Sequence, residues 1–352
     1  NPKEYLQNLA RLRSGLAIGD AAAQATGQIF LESQLSALDP TLRLPLENFT
    51  WFRDIPKNKK VKGWVTNEIA RNVDFRAQQT GATGSDSNDI PYVSYNLNQD
   101  VWPVFPWSMR LRIPVIEALR MAQVNESPQK LLDDGIRIHY SKTLDIRTYQ
   151  GQYGKYGLIN QPQMQGGQSF VSAQFLPATG TAGATTFASK AANPILILQD
   201  FNFMANVNWL ASGGAPGAMP NRFLVPSAAW DVLTNPMTIG TGTGIAGGFN
   251  SILDYVKAKY KGSAFGVVPE IYPLPSWLDA AGANAGSPSV PTGRIVCYKY
   301  DEDCGSLSIP QELQRFDAPL SINSGCYEAL YVANIGVVKI NRPTTISYFD
   351  GC

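Results

Sequence analysis

The run from Ser127 to Tyr149 constrains this chain most. Ser127-Pro128 has the form of a helix N-cap followed by proline at the first helical position. Leu132, Ile136, Tyr140 and Leu144 then recur every four residues. That spacing places them along one face of a helix of roughly 25 residues, close to ~40 Å long at ~1.5 Å per residue. A helix of this length spans a whole domain, so the remaining elements have to be arranged around it.

The stretch that ends this helix is TYQGQYGKYGLINQP, from Thr148 to Pro162. Gly151, Gly154 and Gly157 lie three apart among Tyr149, Tyr153 and Tyr156. A glycine-rich loop beside a helix can cradle phosphate, but the phosphate fingerprint GxGxxG follows a strand and opens a helix. Here GxxGxxG follows a helix, and the reversed order sets the nucleotide reading aside. Glycines permit the positive backbone angles that end helices, and tyrosines offer flat apolar faces to pack the exit. The stretch is read as a structural hinge after the long helix, carried by Gly154, Gly157, Asn160 and Pro162.

Upstream, residues 1 to 50 carry short apolar patches such as GLAIGDAAAQATGQIF, closed by Pro40 and Pro45. Their apolar face is thin for independent folding, which fits an arm that orders against something else. Between Trp51 and Trp107, VTNEIARNVDFRAQQ and IPYVSYNLNQDVWPVFPW flank the turn-rich TGATGSDSND. These runs predict a long β-hairpin whose tip holds Gly81, Gly84, Asp86 and Asp89. Such a hairpin has little core of its own and needs a partner surface, because bare strand edges invite uncontrolled pairing. Trp102, Phe105 and Trp107 with Pro103 and Pro106 are read as a bend at its base.

RLRIPVIEALRMAQVN predicts one short helix. Residues 163 to 193 are rich in Gly, Ala, Thr and Gln, with FVSAQFL as a possible strand. PILILQDFNFMANVNWLAS is a strand or a helix. NRFLVPSAAWDVLTN has the form strand, proline, serine cap, helix, and GFNSILDYVKAKY is a further amphipathic helix. With FGVVPEIYPLPSWL as a strand, residues 195 to 290 form a mixed α and β domain. The last segment alternates as paired strands through RIVCYKYD, LSIPQELQRFDAP, ALYVANIGVVKINRP and TISYFDG, and is expected to return against the long helix. The fold class is α+β.

Charged residues make up 16% of the chain and the formal net charge is +1. That balance argues against a protein that grips nucleic acid through a basic surface. It suits a surface buried against neighbours, where each unpaired charge would cost desolvation. Cys297, Cys304, Cys326 and Cys352 all lie in the last sixth of the chain with no CxxC pair, and are read as free thiols. The one histidine, His139, falls midway along the long helix, which leaves serine or cysteine catalysis without a base and the common zinc sites without ligands. Asp133-Asp134 and Asp301-Glu302-Asp303 read as a helix face and a turn rather than paired catalytic carboxylates. Neither catalysis nor a cofactor or metal is expected. Lys57, Lys59, Lys60 and Lys62 form the one basic run, a solvated face by default, with an acidic partner or packaged nucleic acid as the sharper reading. No apolar run approaches the ~20 residues of a membrane span.

The order of these parts resembles the major capsid proteins of tailed phages with the Hong Kong 97 type fold. Tyr156-Gly157-Leu158-Ile159-Asn160-Gln161-Pro162 is similar to the family's step after its spine helix. Arg342-Pro343-Thr344-Thr345-Ile346-Ser347-Tyr348-Phe349-Asp350-Gly351 is similar to the ending of one capsid subfamily, and NRFLVPSAAWDVL to the strand and helix entering the axial domain. The resemblance implies an N-terminal arm over 1–50, an extended loop over 51–107, a peripheral domain over 108–194 and 291–352, and an axial domain over 195–290. It also implies a subunit that assembles with itself into hexamers and pentamers of an icosahedral shell, in the virion, after assembly in the host cytoplasm. Scaffolding, portal and decoration proteins and non-specifically contacted double-stranded DNA are the implied partners, with no membrane. Covalent lysine-to-asparagine crosslinks belong to particular members, and nothing in the run Lys57 to Lys62 singles out a lysine for one. Two other readings stand beside it: an encapsulin-type bacterial compartment of the same fold, and a secreted carbohydrate-binding or glycosidase protein suggested by the Gly, Asn, Thr and aromatic content. Deleting Gly81 to Asp89 is expected to leave the subunit folded and weaken the shell, and unchanged particle stability would remove the hairpin assignment.

Overall fold

Proline at the first position and apolar residues at four-residue spacing do produce the helix. In the computed structural model it runs Pro128–Tyr149, 22 residues. The described residues are 49–77, 93–123, 128–161, 172–175, 177, 186–191, 193–235, 251–261, 268–280, 293–321 and 325–352. Nearly all of the expected arm therefore lies outside them. Burial along the long helix is graded: Leu132 is exposed, Ile136 and Leu144 are buried, and so are Asp145, Arg147, Thr148 and Tyr149 at its end. The helix is anchored by its last turns.

Among the described residues twelve strands occur: β1 Lys57–Asn58, β2 Asn67–Ala77, β3 Val93–Pro114, β4 Ser172–Phe175, β5 Arg222–Val225, β6 Glu270–Pro273, β7 Ile295–Tyr298, β8 Gly305–Ser308, β9 Gln311–Ser321, β10 Cys326–Gly336, β11 Val338–Ile340 and β12 Ile346–Asp350. They form three sheets with the orders β2-β3-β10-β9, β4-β12-β7-β5-β6 and β1-β8-β11. The long hairpin is present as the antiparallel ladder between β2 and β3, from Asn67 opposite Pro103 to Ala77 opposite Val93.

Two local expectations give way here. No bend forms at Trp102 to Trp107, because β3 runs straight through and changes partner: Val93 to Pro103 pairs with β2, and Val104 to Pro114 with β10. Each half of β3 keeps one open edge, where a proline's missing N–H removes no ladder bond. The short helix expected from Arg110 begins only at Val115 and spans Val115–Gln123. Pro114 disfavours helical backbone at Ile113, so the segment before it stays extended. The ambiguous PILILQ segment is a helix, Pro194–Ala211, opened by Asn193, whose side chain accepts the N–H of Ile195 at 3.3 Å. Helices Ser227–Thr234 and Ile252–Lys261 also form, but Ser227 is not a cap: it is the first helical residue, and Pro226 holds the cap position without a side-chain bond.

Every residue of β5, β7 and β12 is buried. Alternation along the strands sends them to two different cores. Phe223, Val225, Ile295, Cys297 and Phe349 join Ile197, Phe201 and Met204 of the Pro194–Ala211 helix. Leu224, Val296, Tyr298, Ile346 and Tyr348 join Leu144 and Tyr149 of the long helix and Ala333 and Ile335 of β10. The five-stranded sheet is thus a wall between two cores. The C-terminal strands do return against the long helix, where the Arg147 guanidinium also donates to the Ile335 carbonyl at 3.2 Å.

The segment that leads into the hairpin is tied to the same helix. A short helix, Trp51–Asp54, has its N-terminus capped by Asp145, whose carboxylate accepts the N–H of Thr50 at 3.2 Å and of Trp51 at 2.8 Å. Burial pushes the Asp145 carboxyl up from 3.8 to about 6, against the pull of those two N–H groups and with added repulsion from Asp54. Between these two values the folded chain holds a proton that the unfolded chain has lost. The contribution of Asp145 to stability is therefore fully present below the lower value and lost as pH rises through about 6. Urea unfolding across this range should show stability falling more steeply with rising pH in wild type than in Asp145→Asn. Asp145→Ala, which orphans both N–H groups, should cost ~1–3 kcal/mol at every pH. Equal slopes in wild type and Asp145→Asn would refute the assignment.

Candidate assembly site

The long helix ends by a reversal built on glycine. The N–H groups of Gln150 and Gly151 both donate to the Ile146 carbonyl, at 2.9 and 3.1 Å. Positive φ angles follow at Gly151 (77°), Tyr153 (57°) and Gly154 (72°). The chain then returns beside the helix, with the Leu158 N–H donating to Thr148 O at 2.7 Å and the Ile159 N–H to Tyr149 O at 3.2 Å. Gly157 lands on the helix terminus, where a Cβ would stand 2.3 Å from the Tyr149 oxygen. Gly154 has open space around it and needs only its positive φ. Gly151, which the sequence reading left out of the hinge set, combines a positive φ with a Cβ position 2.0 Å from Lys155 O.

Asn160 fastens the reversal. Its side-chain oxygen accepts the Gly157 N–H at 2.6 Å and its amide donates to Gln150 O at 2.8 Å. Gln161 adds a bond from Nε2 to Gly157 O at 2.8 Å. Pro162 lies outside the described residues. Tyr153 packs against Phe105 of β3, with ring centroids 4.7 Å apart.

Three residues hold this turn from the far end of the chain: Tyr348 and Asp350 of the C-terminal motif, and Arg294, which has no local sequence signal. The Tyr348 hydroxyl donates to Leu158 O at 2.6 Å and accepts the Gln161 N–H at 3.0 Å. Arg294 pairs with Asp350 through two bonds of 2.7 and 3.0 Å and donates a third to Ile159 O at 2.9 Å. Its guanidinium also lies over the Tyr348 ring, 4.5 Å from the centroid. Burial pushes the Tyr348 phenol above its ordinary range, so the hydroxyl keeps its proton and remains a donor. The motif after the helix and the motif at the chain's end are in direct contact.

The second component is the hairpin. Directly paired residues of an antiparallel ladder share a face, so pairing Ile69 with Val101 and Val73 with Leu97 gathers them on one side with Val93 and Tyr95. All six are exposed, Val73 at 46% and Leu97 at 57%. Arg71 and Gln99, paired between the Ile69–Val101 and Val73–Leu97 pairs, share that side, and Asn96, Asp100 and Glu68 point to the other. The tip residues Gly81, Gly84, Asp86 and Asp89 lie outside the described residues. Of the basic run, Lys57 pairs with Glu312, and Lys60 lies 3.9 Å from Glu302 and 3.6 Å from Asp303. None of the four cysteines is in a disulfide. Among the described residues no group of His, Cys, Asp and Glu is placed to hold a metal ion, and no helix is long and apolar enough to cross a membrane.

The reversal predicts a graded response to substitution. Gly157→Val should destabilise the subunit by more than ~3 kcal/mol, because the new side chain would meet backbone rather than a movable group. Gly154→Ala should cost ~1 kcal/mol from backbone strain alone. Urea denaturation of the purified subunits separates the two, and a Gly157→Val chain as stable as wild type would break this account.

Comparison with known proteins follows the same lines. The family described as Major capsid protein matches residues 78–352. No curated protein sequence matches significantly. The fold is similar to that in the capsid of Myoviridae phage XM1, 14% identical with a TM-score of 0.65 over 91% of this chain and 98% of that one. It is also similar to the capsid of the native GTA particle, 11% identical with a TM-score of 0.55 over 89% and 93%. For a chain of Mycobacterium phage Adephagia the identity is 10% and the TM-score 0.53, over 90% and 95%. A family match over most of the chain, on a fold of the Hong Kong 97 type, establishes that this chain belongs to the major capsid protein family.

Proposed function

We propose that this capsid protein forms the hexamers and pentamers of an icosahedral shell around double-stranded DNA, and that its hairpin is the principal grip between subunits. The observation that carries the grip is the hairpin's exposed apolar face, which finds no cover among the described residues of its own chain. A ladder of this length with one apolar face is an aggregation hazard unless a specific partner covers it. In a closed shell the partner is the adjacent copy, and many modest interfaces repeated by symmetry sum to a stable container. On this reading residues 1–50 order against neighbours, 108–194 and 291–352 form the peripheral domain, 195–290 the axial domain, and the tip at Gly81 to Asp89 lies over the next subunit.

Gly154, Gly157, Asn160 and Pro162 then belong to a fixed turning point between the long helix and the axial part. The hydrogen bonds of Asn160 and Tyr348 support a stiff joint, so differences between hexamer and pentamer positions are taken up elsewhere. DNA is contacted without sequence preference. Scaffolding, portal and decoration proteins are further partners, and assembly takes place in the host cytoplasm. The secreted carbohydrate-binding reading loses its basis once the family is known.

The test replaces Val73 and Leu97, paired across the ladder, by Asp. The double variant should unfold at the wild-type temperature and fail to form shells by electron microscopy. Normal shells from it would show that this face is not the assembly surface. Double-stranded DNA inside wild-type particles supports the phage reading, whereas DNA-free particles holding a cargo enzyme would establish the encapsulin-type alternative.

A further inference from the structure

The small sheet β1-β8-β11 carries a buried polar cluster at the base of the hairpin, and three polar atoms of that cluster have no protein partner. Glu68, the second residue of β2, uses one carboxylate oxygen twice: Oε1 accepts from Asn58 Nδ2 at 2.7 Å and also from Lys339 Nζ. The other oxygen, Oε2, is buried without a hydrogen bond among the described residues, and so are Trp102 Nε1 and Ser308 Oγ. Strand register brings the three together. Trp102 stands directly opposite Glu68 in the ladder of β2 and β3, so the two side chains are neighbours on one face. Ser308 stands beside Asn58 in the pair of β1 and β8, and Asn58 is itself bonded to the Glu68 carboxylate. Lys339 is opposite Ser306, two residues before Ser308 on the central strand, and so shares that face of the sheet. Glu68 is 7% exposed, Lys339 4% and Ser308 1%. Gly336 closes the site over Ser308, where a Cβ would stand 3.0 Å from Ser308 Cβ.

A buried carboxylate oxygen with no donor is costly, and an interior ion pair holds well only when its remaining lone pairs are satisfied. The chemistry of the three atoms selects what can satisfy them. A cation would suit Glu68 Oε2 but be repelled by the Trp102 N–H, which can only donate. An anion would suit the indole and be repelled by the carboxylate. No further charge is called for, because Lys339 already faces Glu68. A neutral molecule that donates to the carboxylate and accepts from the indole meets both demands, and the Ser308 hydroxyl can take either role. We propose that the cluster is a binding site for a single structural water molecule, held by Glu68 Oε2, Trp102 Nε1 and Ser308 Oγ. A buried water typically makes about three hydrogen bonds, which these atoms supply. The water bonds both strands of the hairpin, β2 through Glu68 and β3 through Trp102, to the central strand of the small sheet. A bridge of this kind is enthalpically nearly as good as a direct hydrogen bond, so it helps to fix the hairpin's direction at its base.

The site lies within one chain, so it does not depend on the assembly reading above. A cryo-EM map of particles, or a crystal structure of the subunit, fine enough to show ordered water is the test. One peak should lie within ~3.2 Å of all three atoms. The double variant Trp102→Phe, Ser308→Ala keeps the ion pair but leaves the water a single partner, so the folded variant should lose the peak. A wild-type map with no peak between the three atoms, or with Trp102 Nε1 bonded directly to Glu68 Oε2, would overturn the proposal whether or not the variant folds. A peak surrounded by the short contacts of a metal cation would overturn the choice of water. An unchanged peak in the folded double variant would overturn the partners assigned to it.

Discussion

Strand β12 ties the molecule together, through the alternation of its side chains and one hydroxyl group. It is buried on both faces, so Ile346 and Tyr348 pack with the long helix while Phe349 packs with the Pro194–Ala211 helix. A phenol hydroxyl in a dry interior must find partners. The Tyr348 hydroxyl finds two backbone groups of the turn that follows the long helix, Leu158 O and Gln161 N. Those groups lie where the turn has left its own helix, and Tyr348 satisfies them. Turn and strand therefore fix one another's position. Arg294 and Asp350 add a buried bidentate pair whose remaining donor reaches Ile159 O. Such a pair contributes little over a well-packed apolar substitute, yet removing one partner would strand a charge in the core.

What was legible in the sequence followed from local rules. The four-residue spacing of Leu132, Ile136, Tyr140 and Leu144 identified the long helix, and the glycines after it identified the reversal. Asn160 and Gly157 were found through a motif, and the structure gives each a physical task. The sheet wall was not legible, because β5, β6, β7 and β12 come from segments more than a hundred residues apart in places, and their order depends on pairing that no window displays. Arg294 was missed, and the contact that Tyr348 of the C-terminal motif makes was not foreseen, for the same reason: their partners lie far along the chain. The reading of Trp102 to Trp107 as a bend shows the limit of a local rule. Proline marks a break only where the backbone needs its N–H, and β3 has an open edge there.

That uninterrupted β3 decides how the hairpin behaves. Its second half is a core strand paired beside β10, with Leu111 and Ile113 buried in the core, and its first half is the outer arm of the hairpin. A single strand that is half core and half projection carries its direction from one part to the other, so the four-stranded sheet sets where the apolar face points. The base is further pinned by the Val104 N–H on Thr66 O at 2.9 Å and by Asn334, which donates to Val65 O at 2.8 Å. A floppy loop would lose conformational entropy on docking, whereas a projection held by the core has already lost it on folding. Ile69, Val73, Leu97 and Val101 then bury against a neighbour by an effect that salt screens weakly, because it does not rest on charge pairs. The sparse charge of the chain fits this arrangement: an interface whose strength comes from a preoriented apolar face needs few charges, and each one added would have to be desolvated at every repeated contact.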